Sequence, residues 1–445
     1  MKAIGYTWLI QTYRLDVLEP SSVSYIHERS DRRSMEQDGQ TESYYPRGYD
    51  PGDEWAGNLT FALKYEGLNL EVLAALFPIL DSSAVEAYVQ ESPIGKYARL
   101  VWFFYELLTE RRLGLPDLVT GNYLPILDEE REFTISAAVA PRAKRQRLIV
   151  NLLGGKAYCP RIRKTEAIAA FHTADVAASV RALVAAYPDD LIGRASRYLY
   201  AKETKSSFEI EREKADTKRT TRFIELLRRA GHVDPYGENE LTVLQNAIVE
   251  ERYAVDGYRK NQNYVGESIG PTRELVHYIP PKPEALRSLM EGWTSTCRQI
   301  RSSALDALVL ATVAGFGFVY LHPFEDGNGR IHRFLIHDAL VATGFTPEDM
   351  IFPVSAVMLR RMKEYDATLE AFSKPCMERL QYALDSRGAV TVQGETSGHY
   401  RYPDLTRQAE ALASFIQETA QVEFSAELEY LSLFDQASEA VRSIL

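Results

Sequence analysis

The feature that most constrains this chain is an apolar stretch, residues 304–321, that runs directly into a short polar segment. The stretch is about the minimum length for a membrane span, but it contains Asp306, Gly315 and Gly317 and continues into the sequence HPFEDGN. We therefore predict a buried central helix that ends at the polar segment. A second helix is predicted over residues 330–342, so the polar segment forms a turn between two core helices.

The composition is that of an ordinary globular protein. The chain has 445 residues, enough for two or three domains, of which 45% are hydrophobic and 25% charged. A net charge of −11 and the lack of a long Lys/Arg block argue against non-specific binding to nucleic acid or to an anionic membrane. The three cysteines, Cys159, Cys297 and Cys376, form no CxxC pair and indicate neither a disulfide framework nor a zinc site. The N-terminus lacks the pattern of a secretory signal, and we expect a cytoplasmic protein.

A dense cluster of reactive side chains occupies residues 322–333, HPFEDGNGRIHR. The Gly-Asn-Gly run provides backbone that can approach a ligand closely, and the following helix directs free N–H groups and its positive dipole end to the same place. Arg330 and Arg333 lie on neighbouring rows of one helix face, where two guanidinium groups can bind successive phosphates. The segment therefore predicts an anion pocket suited to the phosphates of a nucleotide.

Two further residues add chemistry to this pocket. Asp326 can hold Mg²⁺ between phosphates, because Mg²⁺ needs a carboxylate and waters rather than a full protein cage. His322 is placed to act as a general base, since histidine titrates near neutrality. Taken singly, a histidine at a helix end is usually structural and an arginine pair is usually a solvated face. All of these residues within one short segment argue for a site.

The segment HPFEDGNGRIHR resembles the signature HPFx[DE]GN[GK]RxxR of Fic-domain proteins and fits it at every fixed position. The resemblance implies an all-α Fic core, about residues 235–350, that transfers AMP from Mg-ATP to a hydroxyl group of a target protein. The sequences GYRKNQNYVGE and VHYIPPKPEALRSLM ahead of the signature also resemble the family, in which a β-hairpin flap receives the target as an added strand. The docking residues of this flap are expected to be Glu274, Leu275, Val276, His277 and Tyr278.

The resemblance also implies a role for each signature residue. His322 would take the proton from a Tyr, Ser or Thr hydroxyl of an unknown target protein, and that oxygen would attack the α-phosphorus of ATP. Asp326 would hold Mg²⁺, and Phe324 would anchor the turn in the core. The remaining residues would bind phosphates: Asn328 with the N–H groups around Gly327 and Gly329 at the α-phosphate, and Arg330 and Arg333 at the β- and γ-phosphates.

Residues 207–212, SFEIER, resemble an inhibitory motif, [ST]xxxE[GN], that many Fic proteins carry. In the family, the glutamate of this motif pairs with the second signature arginine and disturbs binding of the γ-phosphate. The resemblance assigns Ser207 and Glu211 to the motif and pairs Glu211 with Arg333. Arg212 departs from the last motif position, and the segment is rich in Glu and Lys, so a solvated helix without an inhibitory role is the alternative.

The apolar spacing along the chain predicts a mainly helical protein, and together with the resemblance it implies four parts. These are a mostly helical N-terminal domain (residues 1–200), an inhibitory-helix region (201–234), the Fic core with its β-hairpin flap (235–350) and a C-terminal helical extension with a short hairpin (351–445). Residues 28–57 are polar without an apolar period and predict an irregular surface segment. For the first part the alternatives are positioning of the target and formation of a homo-oligomer.

Other functions remain open from the residues alone. The run from Gly266 to Gly270 fits the GxSxG pattern of hydrolases, with Ser268 as nucleophile, but that pattern needs a strand, a turn and then a helix, and extended chain follows here. Within the family, transfer of another group and removal of AMP are alternatives, although the Gly-Asn-Gly-Arg form favours AMP transfer. A non-catalytic nucleotide-binding scaffold is the remaining alternative, and retention of His322 argues against it.

Overall fold

The computed structural model describes residues 1–37, 40–214, 216–270, 273–347, 350–386 and 388–444. Over these residues the fold is mainly helical, with short strands that form four small sheets. The predicted fold class is therefore confirmed.

The chain begins with a four-stranded sheet. Its strands are β1 (Lys2–Ile4), β2 (Ser22–His27), β3 (Arg33–Gln37) and β4 (Gln40–Pro46). The strand order is β1-β2-β4-β3, with β2 and β4 parallel and the other pairs antiparallel. Two of these strands lie within residues 28–57, so the prediction of irregular chain there is wrong. Their order depends on pairing with β2 and on burial of Tyr45 against Phe61, which the local polar composition does not reveal.

Helices and a small three-stranded sheet complete the N-terminal part. The helices are α1 (Gly5–Tyr13), α2 (Trp55–Tyr65), α3 (Leu70–Leu76), α4 (Ser82–Glu91) and α5 (Lys96–Thr109). The sheet has the order β5-β7-β6 and consists of β5 (Leu124–Pro125), β6 (Arg142–Ala143) and β7 (Leu148–Ile149). One hydrophobic core, with Trp102 and Tyr105 among its buried residues, joins these elements.

Five helices follow the three-stranded sheet in the chain. They are α6 (Glu166–Thr173), α7 (Val176–Val184), α8 (Asp189–Ile210), α9 (Thr217–Leu227) and α10 (Glu238–Ile248). The boundary predicted near residue 200 falls inside α8, whose continuous hydrogen bonding leaves no linker at that point. The two large hydrophobic cores meet earlier in the chain. The N-terminal core contains residues up to Cys159, and the larger core contains residues from Phe133 onward.

The central part contains a hairpin and three long helices. The hairpin strands are β8 (Val265–Gly270) and β9 (Arg273–Tyr278), and the helices are α11 (Pro283–Ser302), α12 (Ala307–Leu321) and α13 (Asn328–Ala342). Asp306 caps α12 by accepting hydrogen bonds from the N–H groups of Leu308 and Val309, which explains an acidic residue beside the apolar stretch. Gly317 allows close packing, since a Cβ there would lie 2.5 Å from the Tyr158 hydroxyl. Helix α12 is thus the buried central helix predicted from the sequence.

The C-terminal part adds helices and one hairpin. These elements are α14 (Val354–Arg360), α15 (Met362–Arg379), β10 (Tyr382–Leu384), β11 (Val390–Val392), α16 (Gly398–Arg401), α17 (Thr406–Glu418) and α18 (Ser425–Ile444). A π-helical turn, Thr419–Phe424, joins α17 to α18. Helices α14 and α17 pack on the same core as α12 and α13, so the C-terminal part covers the central helices.

Among the described residues, one helical stretch has the length and composition of a membrane span, residues Glu166–Val184. It comprises α6 and α7, and Asp175 between them has a φ of 40°. Ile168, Phe171 and Val180 from this stretch are buried in the larger core.

Candidate active site

The turn between α12 and α13 places His322 at a sharp change of chain direction. His322 ends α12 with a φ of 49°, a left-handed conformation that costs a non-glycine residue roughly 1 kcal/mol. Phe324 is fully buried beneath the turn, where its ring packs against those of Tyr258 and Phe318. The structure agrees with the anchoring role predicted for Phe324.

Asn328 closes this turn with both ends of its side-chain amide. Its Oδ1 accepts a hydrogen bond from the backbone N–H of Phe324 at 3.1 Å, and its Nδ2 donates to the backbone carbonyl of Phe324 at 2.7 Å. The side chain is 2% exposed. In this structure the side chain of Asn328 therefore shapes the turn, and its contact with a phosphate stays a prediction.

The imidazole of His322 is held in one tautomer. Its Nδ1 lies 3.2 Å from the backbone carbonyl oxygen of Val319, so Nδ1 carries the proton in this hydrogen bond and Nε2 keeps its lone pair. Burial, with a smaller contribution from the positive charge of Arg259, lowers the pKa of His322 to about 4. The ring is neutral at pH 7, which is the form that a general base needs.

The start of α13 brings together the two signature arginines. Gly327 has a φ of 90°, a conformation that glycine adopts without strain, and it turns the chain into the helix. Arg330 and Arg333 follow on one face, and each is only 1% exposed. The structure brings together two buried guanidinium groups beside a helix N-terminus, at the place where the sequence predicts an anion pocket.

Arg330 is paired with two carboxylates. It donates to Asp326 at 2.8 Å and to Glu213 at 3.0 Å, and its guanidinium lies 5.2 Å from the centre of the Phe208 ring. The same oxygen of Glu213 accepts a second hydrogen bond from Arg219 at 2.6 Å. Glu213 therefore holds two arginines together at the mouth of the anion pocket, a contact that sequence reasoning missed.

Arg333 is paired with the segment predicted to be inhibitory. Its guanidinium donates to the hydroxyl of Ser207 at 2.8 Å, to the carbonyl of Ser207 at 2.7 Å and to the carboxylate of Glu211 at 2.8 Å. The Glu211 carboxylate also covers Gly329, because a Cβ at that glycine would lie 2.1 Å from Oε1. A carboxylate thus occupies the start of α13, where the anion pocket would take a phosphate.

Helix α8 packs along α13, and several polar side-chain contacts join the two helices. One turn before Ser207, the carboxylate of Glu203 lies 2.8 Å from Nε2 of His337, which is one turn after Arg333. Glu203 also accepts hydrogen bonds from the backbone N–H and the hydroxyl of Ser355 at the start of α14. These buried contacts fasten α8 to the core and leave its last turn as the part that covers the anion pocket.

Arg212, the residue that departs from the inhibitory motif, has a left-handed backbone conformation. Helix α8 ends at its C-cap, Glu211, and Arg212 follows with a φ of 57°. Glycine and asparagine are the residues that adopt this left-handed conformation most readily, which accounts for their place at the end of the motif. Arg212 accepts the strain with its side chain 85% exposed and 3.5 Å from Glu267 on β8.

Asp326 borders an open cleft of about 460 Å³. Glu250 and Glu325 line the same cleft, and the Asp326 side chain is one-third exposed. Among the described residues, no group of three or more His, Cys, Asp or Glu side chains is placed to hold a metal ion, and Arg219 and Arg252 also line the cleft. Asp326 would therefore hold Mg²⁺ only together with water and the phosphates of a nucleotide, which are ligands that this cation prefers. In the structure, Oδ1 of Asp326 accepts hydrogen bonds from Arg330 and from the backbone N–H of Gly327.

Comparison with known proteins bears on this site. The Fic/DOC family profile matches residues 235–340. Residues 235–340 are thus a Fic domain. The chain is 33% identical over 126 residues to the Protein adenylyltransferase Fic of Drosophila virilis and 34% identical over 126 residues to that of Drosophila melanogaster. Each match covers 28% of this chain and 20% of the relative, so the chain spans about a fifth of the length of the curated relatives it matches.

A solved structure is also similar to this chain. The crystal structure of a Fic family protein from Desulfovibrio desulfuricans G20 superimposes with a TM-score of 0.41 and 16% sequence identity, and the match covers 59% of this chain and 75% of that one.

The segment that the sequence predicts to be a flap forms the β8–β9 hairpin. All six residues of β8 are exposed, and β9 lies beside α15. Leu275 is 43% exposed on β9, whereas Tyr278 is 6% exposed and donates a hydrogen bond to the carbonyl of Tyr320. His277 is exposed, whereas Glu274 and Val276 are half-buried, and Val276 packs against a small core that contains Leu380. Tyr278 anchors the base of the hairpin, because its side chain lies in the core.

Ser268 lies on β8 rather than at a turn between a strand and a helix. Its hydroxyl contacts the carboxylate of Glu274 on the opposite strand. The hairpin context agrees with the sequence argument against a hydrolase.

Sequence reasoning missed two further residues that contact the signature segment, Glu213 and Arg259. Glu213 follows the inhibitory motif by two positions, and only its contact with Arg330 identifies it. Arg259 lies within the quoted sequence GYRKNQNYVGE, but its partners are backbone carbonyl groups, for which a sequence carries no pattern.

Proposed function

We propose that this Fic-domain protein transfers AMP from ATP to a hydroxyl group of a target protein and that Glu211 restrains this activity. The observation that carries the proposal is the arrangement of a neutral imidazole and two buried guanidinium groups on the two sides of one short turn. The name of the Drosophila relatives, Protein adenylyltransferase Fic, supports the same reaction.

In this proposal His322 acts as the general base. Its free Nε2 takes the proton from a Tyr, Ser or Thr hydroxyl of the target, and the hydroxyl oxygen attacks the α-phosphorus of ATP. The bond between the α-phosphorus and the bridging oxygen breaks, and pyrophosphate leaves. The hydrogen bond from Nδ1 to Val319 keeps the ring oriented through this step.

The phosphates are bound by the start of α13. The backbone N–H groups around Gly329 stabilise the charge that develops on the α-phosphate, and Arg330 and Arg333 bind the β- and γ-phosphates. Mg²⁺, when bound, would be held by Asp326 and would neutralise phosphate charge. Arg330 must then exchange its contact with Asp326 for one with ATP.

The restraint follows from competition for the same groups. Glu211 takes a hydrogen bond from Arg333 and lies over Gly329, so ATP and Glu211 exclude each other at the start of α13. Binding of ATP in the productive position requires that the last turn of α8 opens. Glu203 keeps the rest of α8 in place, so the opening is local.

The flap is the proposed docking site of the target. A hairpin with exposed strands can accept a target segment as an additional strand, which would place a hydroxyl side chain near His322. The identity of the target depends on side chains around the flap, with Leu275 as the most exposed apolar one on β9.

Incubation with α-³²P-ATP and, separately, with γ-³²P-ATP tests the reaction. We expect label on protein only from α-³²P-ATP, stronger in Glu211→Gly than in the unmodified chain, and absent in His322→Ala. His232→Ala, which removes an exposed histidine, is the matched control and should keep its label. Label from γ-³²P-ATP alone would indicate phosphorylation instead, because only the γ-phosphoryl group is then transferred and the α-phosphorus leaves with ADP. No label from either nucleotide, even with Glu211→Gly, would favour a nucleotide-binding scaffold.

A further inference from the structure

Within the described residues, the guanidinium of Arg259 donates hydrogen bonds only to backbone carbonyl groups, and Glu325 acts on it electrostatically from beyond ion-pair distance. Arg259 is 6% exposed and lies in the segment between α10 and β8. Its Nε donates to the carbonyl of His322 at 2.9 Å, and its other two nitrogens donate to the carbonyls of Asn261, at 3.0 Å, and Pro281. In the part of the chain that the structure describes, no carboxylate lies within ion-pair distance of this guanidinium.

The carbonyl groups that Arg259 binds belong to two different parts of the Fic domain. Asn261 and Pro281 lie at the two feet of the flap, before β8 and after β9. The carbonyls of His322 and Pro323 belong to the turn, and the second of them accepts a hydrogen bond from the backbone N–H of Arg259 at 2.8 Å. One residue therefore connects the base of the flap to the turn that carries the imidazole.

Arg259 makes one of these hydrogen bonds to a residue whose backbone is strained. His322 has a φ of 49°, and Arg259 binds the carbonyl of this same residue. A planar guanidinium donates in several fixed directions at once, so it can hold His322 and both feet of the flap in one relative position. A lysine at this place has the charge but lacks that geometry.

The positive charge of Arg259 also supports the role of His322 as a base, because it favours the neutral form of the ring. The charged groups that face His322 are Arg259 and, from the end of α8, Glu211, with opposite effects on protonation of the ring. A buried cation without a carboxylate partner disfavours a second positive charge nearby. Arg259 thereby keeps the imidazole neutral.

We propose that Arg259 is a positioning residue, which holds His322 in the orientation needed for proton abstraction and ties that orientation to the flap where the target docks. The proposal rests on the proposed AMP transfer. It concerns a residue outside the signature and acts through His322 rather than on ATP.

The test uses the full chain with Glu211→Gly as the active parent. Arg259→Met removes both the charge and the hydrogen bonds, and Arg259→Lys keeps the charge. Arg301→Lys is the matched control, because Arg301 also donates to two backbone carbonyls, of Val233 and Gly231, in the same domain but away from the turn. The measurements are kcat and KM for ATP, the pH dependence of kcat/KM, and the melting temperature.

We expect kcat to fall about 100-fold in Arg259→Met and about 10-fold in Arg259→Lys, since small misplacements of a reacting group cost this much. KM for ATP should stay within about twofold, because Arg259 does not touch the anion pocket. The midpoint of the acid limb of kcat/KM should move to higher pH in Arg259→Met and stay in place in Arg259→Lys. The Arg301→Lys control should keep the kcat of the parent.

Each other result counts against the proposal. A folded Arg259→Lys with the kcat of the parent, or a loss that appears in KM for ATP alone, would overturn the positioning role. An Arg259→Lys variant that no longer folds would overturn it as well, because Arg259 would then stabilise the whole domain. An inactive Glu211→Gly parent would reject the proposed AMP transfer itself. This failure is distinct from failure of the Arg259 proposal, because it is seen in the parent before any Arg259 variant is compared.

Discussion

Glu211 lies 2.8 Å from the guanidinium of Arg333 and covers the backbone of Gly329 at the start of α13. The carboxylate is one-third exposed, whereas the arginine is 1% exposed. The contact therefore satisfies a buried cation with an anion that belongs to the chain itself. This relationship leads to the first prediction.

Replacement of Glu211 by glycine should raise AMP transfer about 10-fold or more, because a hydrogen bond to a charged group contributes roughly 1.5–3 kcal/mol and its loss favours ATP in the same place. Label from α-³²P-ATP on the chain itself measures the effect. Glu209→Gly is the matched control, since Glu209 lies on the same last turn and pairs only loosely, at 3.8 Å, with Lys205. Equal labelling of the two variants would contradict the inhibitory role of Glu211.

Replacement of Glu213 by glutamine should lower KM for ATP, by about two- to fivefold, because Arg330 is then released from one of its two carboxylates. The effect is smaller than that of Glu211, since the side chain of Glu213 is 32% exposed and water screens the pair. Steady-state kinetics in the Glu211→Gly background measure it, with Glu225→Gln, at an exposed position of α9, as the control. A higher KM would show that Glu213 assists ATP binding.

Replacement of Arg212 by glycine should strengthen the restraint. The left-handed φ of 57° costs Arg212 about 1 kcal/mol, so glycine should stabilise the closed end of α8 and lower the basal transfer rate about fivefold. The exposed contact with Glu267 contributes little against this gain. Arg14→Gly is a matched control, because Arg14 has a φ of 52° at the end of α1 and should affect the melting temperature but not the transfer rate. A faster Arg212→Gly variant would mean that the contact with Glu267 outweighs the strain.

The activity should persist at unusually low pH. A general base is active while unprotonated, so activity falls as the pH drops through its pKa, and for His322 that value is lowered from 6.5 to about 4. Removal of Glu211 takes away a charge that raises this pKa, so the midpoint in Glu211→Gly should be near or below 4. A pH profile of kcat/KM, with circular dichroism to confirm folding at each pH, measures it. A midpoint near 6.5 would show an imidazole in contact with water.

The sequence by itself identified the central helix, the turn after it and the chemistry that the turn carries. These features are local: the apolar run of α12, the placement of His322 at its end, and the three-residue spacing of Arg330 and Arg333 follow from helix geometry. The pairing of Glu211 with Arg333 came from the resemblance, and the structure brings the two residues together. Short-range pattern was sufficient for the local features, whereas the pairing needed the resemblance to a known family.

Tertiary structure decided what depends on distant partners. The sheet formed by β2 and β4, the contact of Glu213 with Arg330 and the burial of Tyr278 join residues that are far apart in the chain. The binding of backbone carbonyls by Arg259 is of the same kind, because every residue has a carbonyl group and only the folded chain selects which of them a guanidinium meets. Local sequence thus determined which reactive side chains the turn carries, and packing of the chain determined which groups those side chains contact.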